Sequence, residues 1–364
     1  MKFSHFSAFK PVCPLCLRDR SEHHPLVINQ VMVEARDGIT EGILGCPNPA
    51  CRCEYPILDG IPIIIADIRG FVSSNILSIL DRGELSPAMA SLVGDCCGPG
   101  SAVDAVRQYL STYASDHYGD LDPDTADARG ADGAAPGSVL RLMDKALSLA
   151  PKPMSAPIID LGCSVGRTTF ELARKTDGLV LGVDVNFTML RLAGRVMDRN
   201  EVHYPRRKVG MVYDMHRFPV RFDGSSRVDF WAMDATSIPV GDSAFGSCAS
   251  LNLIDCVPSP YEHLKSVARI VRPGGMVIMS TPYDWSAAAT PPGNWLGGHS
   301  QRGDNKGSSE PVLRSLLSGG SHPVAIQELE LVAESTNEPW TVRLHDRSVM
   351  RYAAHLVVLQ VEKP

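Results

Sequence analysis

The sequence of 364 residues lacks an apolar run of 18 residues, the length that a membrane-spanning helix needs. Its first residues, MKFSHFSAFKPVC, also lack an apolar leader segment, so we expect a cytoplasmic protein with no membrane partner. Basic residues are not in excess, since 35 lysines and arginines stand against 41 acidic residues. Proteins that bind nucleic acid mainly through phosphates are usually basic, so a small-molecule partner is favoured over nucleic acid.

The composition is that of a globular protein, with 44% hydrophobic and 21% charged residues. The length predicts two domains and a smaller third piece. We expect a cysteine-rich domain over residues 1–70, a helical lid and linker over 71–138, and a larger domain over 139–364. The oligomeric state is left open.

Short apolar runs alternate with helical patterns from about residue 139 onward. The candidate strands are PIIDLG, LVLGVD, VDFWAMD, FGSCASL and GMVIMST, and the candidate helices are RTTFELARKT, FTMLRLAGRVMDRN and YEHLKSVARIV. This alternation predicts an α/β fold with a parallel sheet. The closing run YAAHLVVLQVEK is a further strand with no helix after it.

A glycine-rich turn follows the first of these strands in IIDLGCSVGRTTFELA. Gly162 and Gly166 permit tight backbone conformations and let a ligand approach the N-terminus of the next helix. Dinucleotide-binding turns use GxGxxG to hold a pyrophosphate, whereas this turn contains Asp160. A carboxylate there would repel a pyrophosphate but can accept from an ammonium group or water, which favours S-adenosylmethionine (SAM).

Further polar residues end the neighbouring strands. Asp184 ends LVLGVD, where a carboxylate can accept from both ribose hydroxyls. Asp234 ends VDFWAMD and is followed by Ala235. Asn252 lies at the C-terminal end of the fourth strand, the edge at which open α/β sheets bind ligands. We predict that all four bind the cofactor, together with the glycine-rich turn.

With the RPGG turn at 272–275, these motifs resemble those of the class I SAM-dependent methyltransferases over about residues 139–364. The resemblance implies a Rossmann-like sheet of seven strands whose final strand, YAAHLVVLQV, is antiparallel. It also implies SAM as the cofactor and an adenine amino group as the partner of Asp234. A binding protein that retains the fold is the alternative, and the intact acidic set opposes it.

Five of the ten cysteines lie within 41 residues near the N-terminus. Disulfides are not expected in a reducing compartment, so this cluster indicates a metal site. Cys13 and Cys16 form a CPLC knuckle, Cys46 is the third candidate, and the fourth is Cys51 or Cys53. Four thiolates around Zn²⁺ make a closed structural site. A ribbon fold without metal is the alternative.

The following run, YPILDGIPIII, resembles the small zinc-ribbon protein that activates tRNA and protein methyltransferases. In that family the last ligand lies four residues before the Tyr of the YPI motif, which implies Cys51 because it precedes Tyr55 by four. The gap between Cys46 and Cys51 departs from the C-x-x-C of that family. The resemblance implies a segment that covers an apolar face of the methyltransferase domain and stabilises it.

The residues after the fourth strand bear on the acceptor. In amino-methylating relatives a motif N/D-P-P-Y/F grips a planar nitrogen here, and Asn252-Leu253-Ile254-Asp255 departs from it. This counts against methylation of a glutamine or an adenine. We predict that Asp255 is catalytic and orients the acceptor or takes its proton, with a helix cap as the alternative.

Aromatic residues crowd the segment after the fifth strand, STPYDWSAAATPPGNWLGGHSQ, which holds two of the four tryptophans. Aromatic faces suit a planar or cationic substrate and exclude water. We therefore predict a catalytic Tyr283 and a substrate-binding set of Trp285, Trp295 and His299. A loop that is packed down by its own aromatic residues is the alternative.

Together with GCSVGRTTFELA, the pattern PYDW…TPPGNWLGG resembles the methyltransferase module of ovothiol biosynthesis, over about 200 residues. That module methylates a ring nitrogen of 4-mercaptohistidine. The resemblance implies N-methylation of a small histidine-derived imidazole that carries sulfur or selenium. This sequence lacks the iron-dependent sulfoxide synthase to which the module is often fused.

Two further segments carry candidate substrate contacts. STYASDHYGDL predicts a helix that lids the SAM pocket, with a catalytic His117 and substrate-binding Tyr113 and Tyr118, although core packing is the alternative. An insertion over residues 199–227 holds seven basic residues against three acidic ones. It favours RNA or a translation factor as the alternative substrate, and a solvated β-hairpin explains it equally.

Overall fold

The structure is a computed structural model that describes residues 1–35, 37–76, 79, 97–125 and 135–362. The described helices are α1 (Phe3–Phe9), α2 (Pro14–Arg20), α3 (Ile68–Ser74), α4 (Ala102–Tyr118), α5 (Ser138–Leu149), α6 (Arg167–Arg174), α7 (Phe187–Arg199), α8 (Pro260–Ile270) and α9 (Ser309–Leu316). Within those ranges, every helix is too short or too polar to cross a bilayer.

The strands are β1 (Val27–Ala35), β2 (Gly38–Gly45), β3 (Glu54–Leu58), β4 (Ile61–Pro62), β5 (Ile158–Leu161), β6 (Val180–Asp184), β7 (Glu201–Val209), β8 (Val212–Pro219), β9 (Val228–Ala232), β10 (Phe245–Leu251), β11 (Val271–Thr281), β12 (Leu329–His345) and β13 (Ser348–Val361). Short 3₁₀ turns lie at Ser225–Arg227, Ile254–Cys256 and Pro292–Asn294.

Seven of these strands form one sheet in the order β12-β13-β11-β10-β5-β6-β9. The strands from β11 to β9 pair in parallel, while β13 is antiparallel to both β11 and β12. The prediction of a seven-stranded α/β sheet with an antiparallel final strand is confirmed. The reason is visible in burial, since β9 and β10 are buried along their whole length, as parallel strands covered on both faces must be.

Two apolar layers enclose the sheet. On one face α5, α6 and α7 bury residues such as Met143, Phe170 and Phe187. On the other face α8 and α9 bury Leu264 and Leu313. Because every parallel strand runs in the same direction, their C-terminal ends meet at one edge, and the loops there form the site described below.

The N-terminal residues form a four-stranded antiparallel sheet, β1-β2-β3-β4, that rests on the larger domain. The Phe9 ring lies 4.8 Å from that of Phe245, centroid to centroid, and meets Trp231 edge-on. Past β4, Ile63 forms an isolated parallel bridge with Ala232 at the edge strand β9. The segment therefore covers both an apolar face and a sheet edge of the larger domain.

The helix predicted at STYASDHYGDL is present as the last two turns of α4, which ends at Tyr118. Two hairpins hold it: the Ser111 hydroxyl accepts from the Arg207 backbone N–H of the β7–β8 hairpin at 2.7 Å. On the β12–β13 hairpin, the Trp340 indole donates to Asp116 at 3.1 Å. Residues 77–78, 80–96 and 126–134, which belong to the predicted helical lid and linker over 71–138, lie outside the described residues.

Candidate functional site

The glycine-rich turn connects β5 to α6, and both of its glycines adopt positive φ. Gly162 and Gly166 have φ of +73° and +88°, values that L side chains rarely adopt. A Cβ at Gly166 would lie 2.7 Å from both the Ala193 side chain and the Phe230 ring. The turn thus needs glycine at these positions, and it presents the start of α6 at the C-terminal edge of the sheet.

Asp160 ties this turn to the helix that follows it. It is only 2% exposed, and its Oδ2 accepts from the Thr168 and Thr169 hydroxyls, each at 2.7 Å. Burial raises the pKa of this carboxyl to about 6, and the nearby Asp184 charge adds to the shift. The side chain is thereby fixed, and its contact with a ligand ammonium group stays a prediction.

Asp184 is held at the end of β6 by two backbone donors. Its Oδ2 accepts from Ser164 N at 2.9 Å, and its Oδ1 accepts from Asn186 N at 2.7 Å. Burial raises the pKa of this carboxyl. Each oxygen retains a second lone pair, so a vicinal diol can donate to a carboxylate whose orientation is already set.

Asp234 and Ala235 shape the loop after β9. Asp234 Oδ1 accepts from the backbone N–H and the hydroxyl of Thr236, at 2.8 and 2.7 Å. The ring of His263 lies between Ala235 O and the Ser250 hydroxyl, at 3.2 and 3.0 Å. This buried histidine fixes the loop against β10 and α8.

The end of β10 leaves two buried polar atoms without a partner among the described residues, Asn252 Nδ2 and Asp255 Oδ1. The other atom of each group is used: Asn252 Oδ1 accepts from the Ser280 hydroxyl at 2.8 Å, and Asp255 Oδ2 accepts from Asp284 N at 2.7 Å. Burial raises the pKa of Asp255, which is 1% exposed. A buried unpaired donor and acceptor at a ligand-binding edge are available to a ligand.

Three further residues lie next to Asp255 or contact its neighbours, and the sequence analysis did not single them out: Cys256, Asp284 and Tyr352. Cys256 is exposed to solvent, and its surroundings, with the charges of Asp255, Asp284 and Asp184, raise the pKa of its thiol. The Tyr352 hydroxyl donates to Asp284 at 2.9 Å. Cys256 and Asp284 adjoin predicted site residues in sequence, whereas nothing in the sequence points to Tyr352.

Tyr113 is the α4 residue that reaches this edge. Burial raises the pKa of its phenol, and the charges of Cys256 and Asp184 contribute further. Tyr113 therefore lies within range of these charges at the C-terminal edge of the sheet. The lid position of the helix and the substrate contact of Tyr113 both stay predictions.

The two other predicted residues of α4 are buried. His117 is only 5% exposed, and burial together with the Arg167 charge lowers its pKa to about 3. This environment counts against proton transfer by His117, and its catalytic role stays a prediction. Tyr118 is fully buried and donates to Val165 O at 2.6 Å, which counts against its assignment as a substrate contact, and that contact stays a prediction as well.

The aromatic loop after β11 is held mainly by its own side chains. Trp285 and Trp295 stack with their ring centroids 6.3 Å apart, and His299 meets Trp295 edge-on. The Trp285 indole donates to the Ser309 hydroxyl at 3.0 Å, and the Trp295 indole donates to Thr290 O at 2.7 Å. These contacts favour the packing alternative, and substrate binding by the three residues stays a prediction.

The N-terminal cysteines converge as the sequence predicts. The Sγ atoms of Cys13, Cys16, Cys46 and Cys51 all lie within 4.8 Å of one another. Cys13 Sγ is 3.7 Å from Cys51 Sγ, and Cys16 Sγ is 3.8 Å from Cys46 Sγ. Tetrahedral Zn²⁺ with Zn–S bonds of about 2.3 Å requires sulfurs about 3.8 Å apart, so the donor set fits zinc.

The basic insertion forms the β7–β8 hairpin, and three of its seven basic residues lie in ion pairs. Arg206 lies 3.0 Å from Asp346, Lys208 lies 2.9 Å from Asp214, and Arg217 lies 2.8 Å from Glu201. Arginines and lysines that are engaged in this way are less available to phosphates. The insertion is therefore a β-hairpin, as the alternative to an RNA-binding segment predicts.

Acid should destabilise the fold through His263, whose pKa is lowered by burial to about 4. Between the ordinary pKa near 6.5 and 4, the unfolded chain binds a proton that the folded chain does not. His263 therefore makes its full contribution to the free energy of unfolding above pH 6.5. This contribution falls by about 3 kcal/mol as the pH drops to 4.

Denaturant unfolding at pH 7.5 and pH 5 measures this loss. His263→Gln should lower stability at pH 7.5 but reduce the difference between the two pH values. His322→Gln, on the loop after α9, should leave the difference unchanged. An equal pH difference in the His263→Gln variant would contradict this prediction.

Residues 159–279, from β5 to β11, match the family model of the methyltransferase domain. This match supports a SAM-dependent methyltransferase. The matched stretch covers 121 of the 364 residues and contains the glycine-rich turn, Asp184 and Asp255. The α/β sheet and this match together establish the fold class.

Curated relatives are similar over parts of the chain. Methyltransferase GfsG of Streptomyces halstedii is 27% identical over 34% of this chain and 36% of its own length. The 27-O-demethylrifamycin SV methyltransferase of Amycolatopsis mediterranei is 22% identical over 55% of this chain and 65% of its own length. The chain thus spans less than two thirds of either relative.

Among solved structures, a SAM-dependent methyltransferase from Methanosarcina mazei superposes with a TM-score of 0.36. It is 19% identical and covers 57% of this chain and 92% of its own.

Proposed function

We propose that the protein is a SAM-dependent N-methyltransferase whose acceptor is a small planar molecule, a histidine-derived imidazole carrying sulfur or selenium. The observation that carries this proposal is the pair of unpartnered atoms, Asn252 Nδ2 and Asp255 Oδ1, at the end of β10. Asp284 donates its backbone N–H to Asp255, Cys256 follows Asp255 in the chain, and the charge of Cys256 acts on Tyr113. We propose that these residues line an acceptor pocket. A carboxylate beside a tyrosine suits a ring with a charged amino group.

The residues present fit SAM. Asp184 has an acceptor lone pair free on each oxygen for the ribose hydroxyls, and the turn from Gly162 to Gly166 admits a ligand to the main chain. The loop of Asp234 and Ala235 is fixed at the neighbouring strand end, where an adenine ring would lie. SAM, when bound, supplies a methyl group that is already activated by its sulfonium.

The residues of the acceptor pocket orient the acceptor towards this methyl group. Asp255 Oδ1 accepts from the amino group of the acceptor. Asn252, which the sequence assigns to the cofactor, is reassigned in this proposal: its Nδ2 donates to an acceptor oxygen, sulfur or selenium. These contacts orient a ring nitrogen lone pair for in-line attack, and the aromatic walls exclude water. Proximity and orientation of this kind supply about 7–11 kcal/mol of a barrier.

A zinc ion on Cys13, Cys16, Cys46 and Cys51 completes the proposal. Four thiolates leave no open position for a substrate, so this ion would stabilise the N-terminal domain. Cys53 lies outside the set of four sulfurs that converge. We place Cys53 beside the site and not among its ligands.

Incubation with labelled SAM tests the proposed function. We expect label to enter 4-mercaptohistidine or a related imidazole, detected by mass spectrometry, and not total RNA. Label in RNA or in a translation factor, with none in the imidazoles, would replace the proposal with the second candidate. The paired arginines and lysines of the β7–β8 hairpin argue against that outcome.

Asp255→Asn should lower kcat/KM for the acceptor by about 10–10²-fold, because a hydrogen bond to a buried charge is lost. The amide oxygen still accepts from Asp284 N, so the loop should keep its shape. SAM affinity should be unchanged. Asp144→Asn, an exposed site on α5, is the matched control. An Asp255→Asn variant with normal kcat/KM would remove Asp255 from the acceptor pocket.

A further inference from the structure

A chain of hydrogen bonds runs from Tyr283 to the surface on the face of the sheet that carries α9. The Tyr283 hydroxyl lies 2.8 Å from His355 Nδ1, and His355 Nε2 lies 3.0 Å from Glu334 Oε2. Arg314 Nε donates to the same carboxylate at 2.9 Å. Sequence reasoning named only Tyr283 among these four residues.

Sheet register brings the members together. His355 pairs with Thr281, so β13 presents His355 beside the end of β11, two residues before Tyr283. Glu334 pairs with Val357, which places Glu334 on the next strand within reach of His355. His355 is almost fully buried, whereas the Glu334 side chain is 34% exposed. The chain therefore connects a buried hydroxyl with solvent.

The chemistry of the carboxylate fixes the direction of one bond. A carboxylate only accepts, so His355 Nε2 carries the proton that Glu334 receives. In the neutral imidazole, His355 Nδ1 then has a lone pair, and the Tyr283 hydroxyl donates to it. The tyrosine is thus placed next to a proton acceptor that a carboxylate orients, the arrangement by which a histidine is held in one tautomer.

Charged groups from each neighbouring element face this chain. Glu310 and Arg314 come from α9, Glu334 comes from β12, and Asp255 comes from the end of β10. The backbone N–H of Asp284, the residue after Tyr283, donates to Asp255 Oδ2 at 2.7 Å, so the main chain at Tyr283 lies beside the proposed acceptor pocket. Hydrogen bonds from Arg314 and His355 outweigh burial and lower the pKa of Glu334, which stays ionised.

We propose that Tyr283, His355 and Glu334 form the exit path for the proton that the acceptor loses on methylation, a role that rests on the proposed function. The acceptor nitrogen forms a bond to the methyl carbon while the bond from that carbon to the sulfonium sulfur breaks. The ring becomes cationic and gives an N–H proton to Tyr283 as the phenol passes its own proton to His355 Nδ1. His355 then releases its Nε2 proton through Glu334 to water, and no external oxidant or base is consumed.

His355→Gln tests the path because glutamine can still hold the Tyr283 hydroxyl but cannot pass a proton on. With 4-mercaptohistidine and SAM, we expect kcat to fall about 10-fold, with SAM affinity unchanged. The lost activity should return as the pH rises or when imidazole is added to His355→Ala. His322→Gln, outside the chain of hydrogen bonds, is the matched control.

A double variant separates proton transfer from packing. Tyr283→Phe combined with His355→Gln should be no slower than the slower single variant, since residues that act as a unit are non-additive. Should His355→Gln not fold, Glu334→Gln carries the same test, because Arg314 retains an acceptor there. Normal kcat and an unchanged pH profile in these variants would overturn the path.

The two proposals fail differently. If the wild-type protein does not methylate the imidazoles, the proposed function is overturned and the proton path falls with it. If the wild-type protein is active and the His355 and Glu334 variants match it, only the proton path is overturned. Nitrogen NMR adds a readout without an acceptor: His355 should be the Nε2–H tautomer, and its Nδ1 signal should shift in Tyr283→Phe.

Discussion

Asp184→Ala is expected to weaken SAM binding about 10²–10⁴-fold, as measured by calorimetry. The carboxylate is oriented in advance by Ser164 N and Asn186 N, so a diol gains two hydrogen bonds to a charged group at no cost of ordering. Each such bond contributes about 1.5–3 kcal/mol, and alanine removes both.

The control for this measurement is Asp144→Ala, which makes the same charge change on the exposed face of α5. Its SAM affinity should equal that of the wild type. Circular dichroism should show that both variants keep their fold. Unchanged affinity in a folded Asp184→Ala variant would contradict the assignment of the ribose acceptor and, with it, the proposed SAM site.

Cys13→Ser is expected to abolish stoichiometric zinc binding and to lower the melting temperature markedly. Binding of a structural zinc is free energy of folding, with apparent values of about 10–16 kcal/mol in small zinc domains at pH 7. Loss of one of the four thiolates removes much of this binding free energy. Metal analysis of protein purified without chelator should give one zinc per chain for the wild type.

Cys53→Ser is the matched control, since Cys53 lies near the site but outside the four converging sulfurs. It should retain its zinc, whereas Cys51→Ser should lose it. A wild-type chain that contains no metal and has the same stability as Cys13→Ser would leave the N-terminal domain as a ribbon without metal.

Local pattern was enough to predict the larger fold. The parallel strands β5, β6, β9, β10 and β11 contain short apolar runs. The helices α6, α7 and α8, which follow β5, β6 and β10, have their apolar residues at helical spacing, so the order of these elements can be read along the chain. The acidic residues at 184 and 234 could be placed because strand ends are local features. The same holds for CPLC, whose two cysteines lie close together for any local backbone.

The environments that the sequence did not predict, those of His117 and His355, share one cause. Each depends on residues that are distant in sequence. The pKa of His117 is set by burial and by Arg167, which lies 50 positions away and donates to the His117 carbonyl. His355 acquires its role from Tyr283 and Glu334, which only sheet register brings near. Neither environment leaves a periodicity or a motif in the sequence.

The bridge between Ile63 and Ala232 has a consequence for producing the enzyme domain alone. Strand β9 is the outermost strand of its sheet, and the N-terminal segment is what covers that border in the described residues. A chain begun at residue 139 would present unpaired backbone groups of β9 beside the apolar surface that Phe9 now covers. Exposed edge strands of this kind pair with those of other molecules. The shortened protein should therefore aggregate on expression even though its candidate site residues are intact.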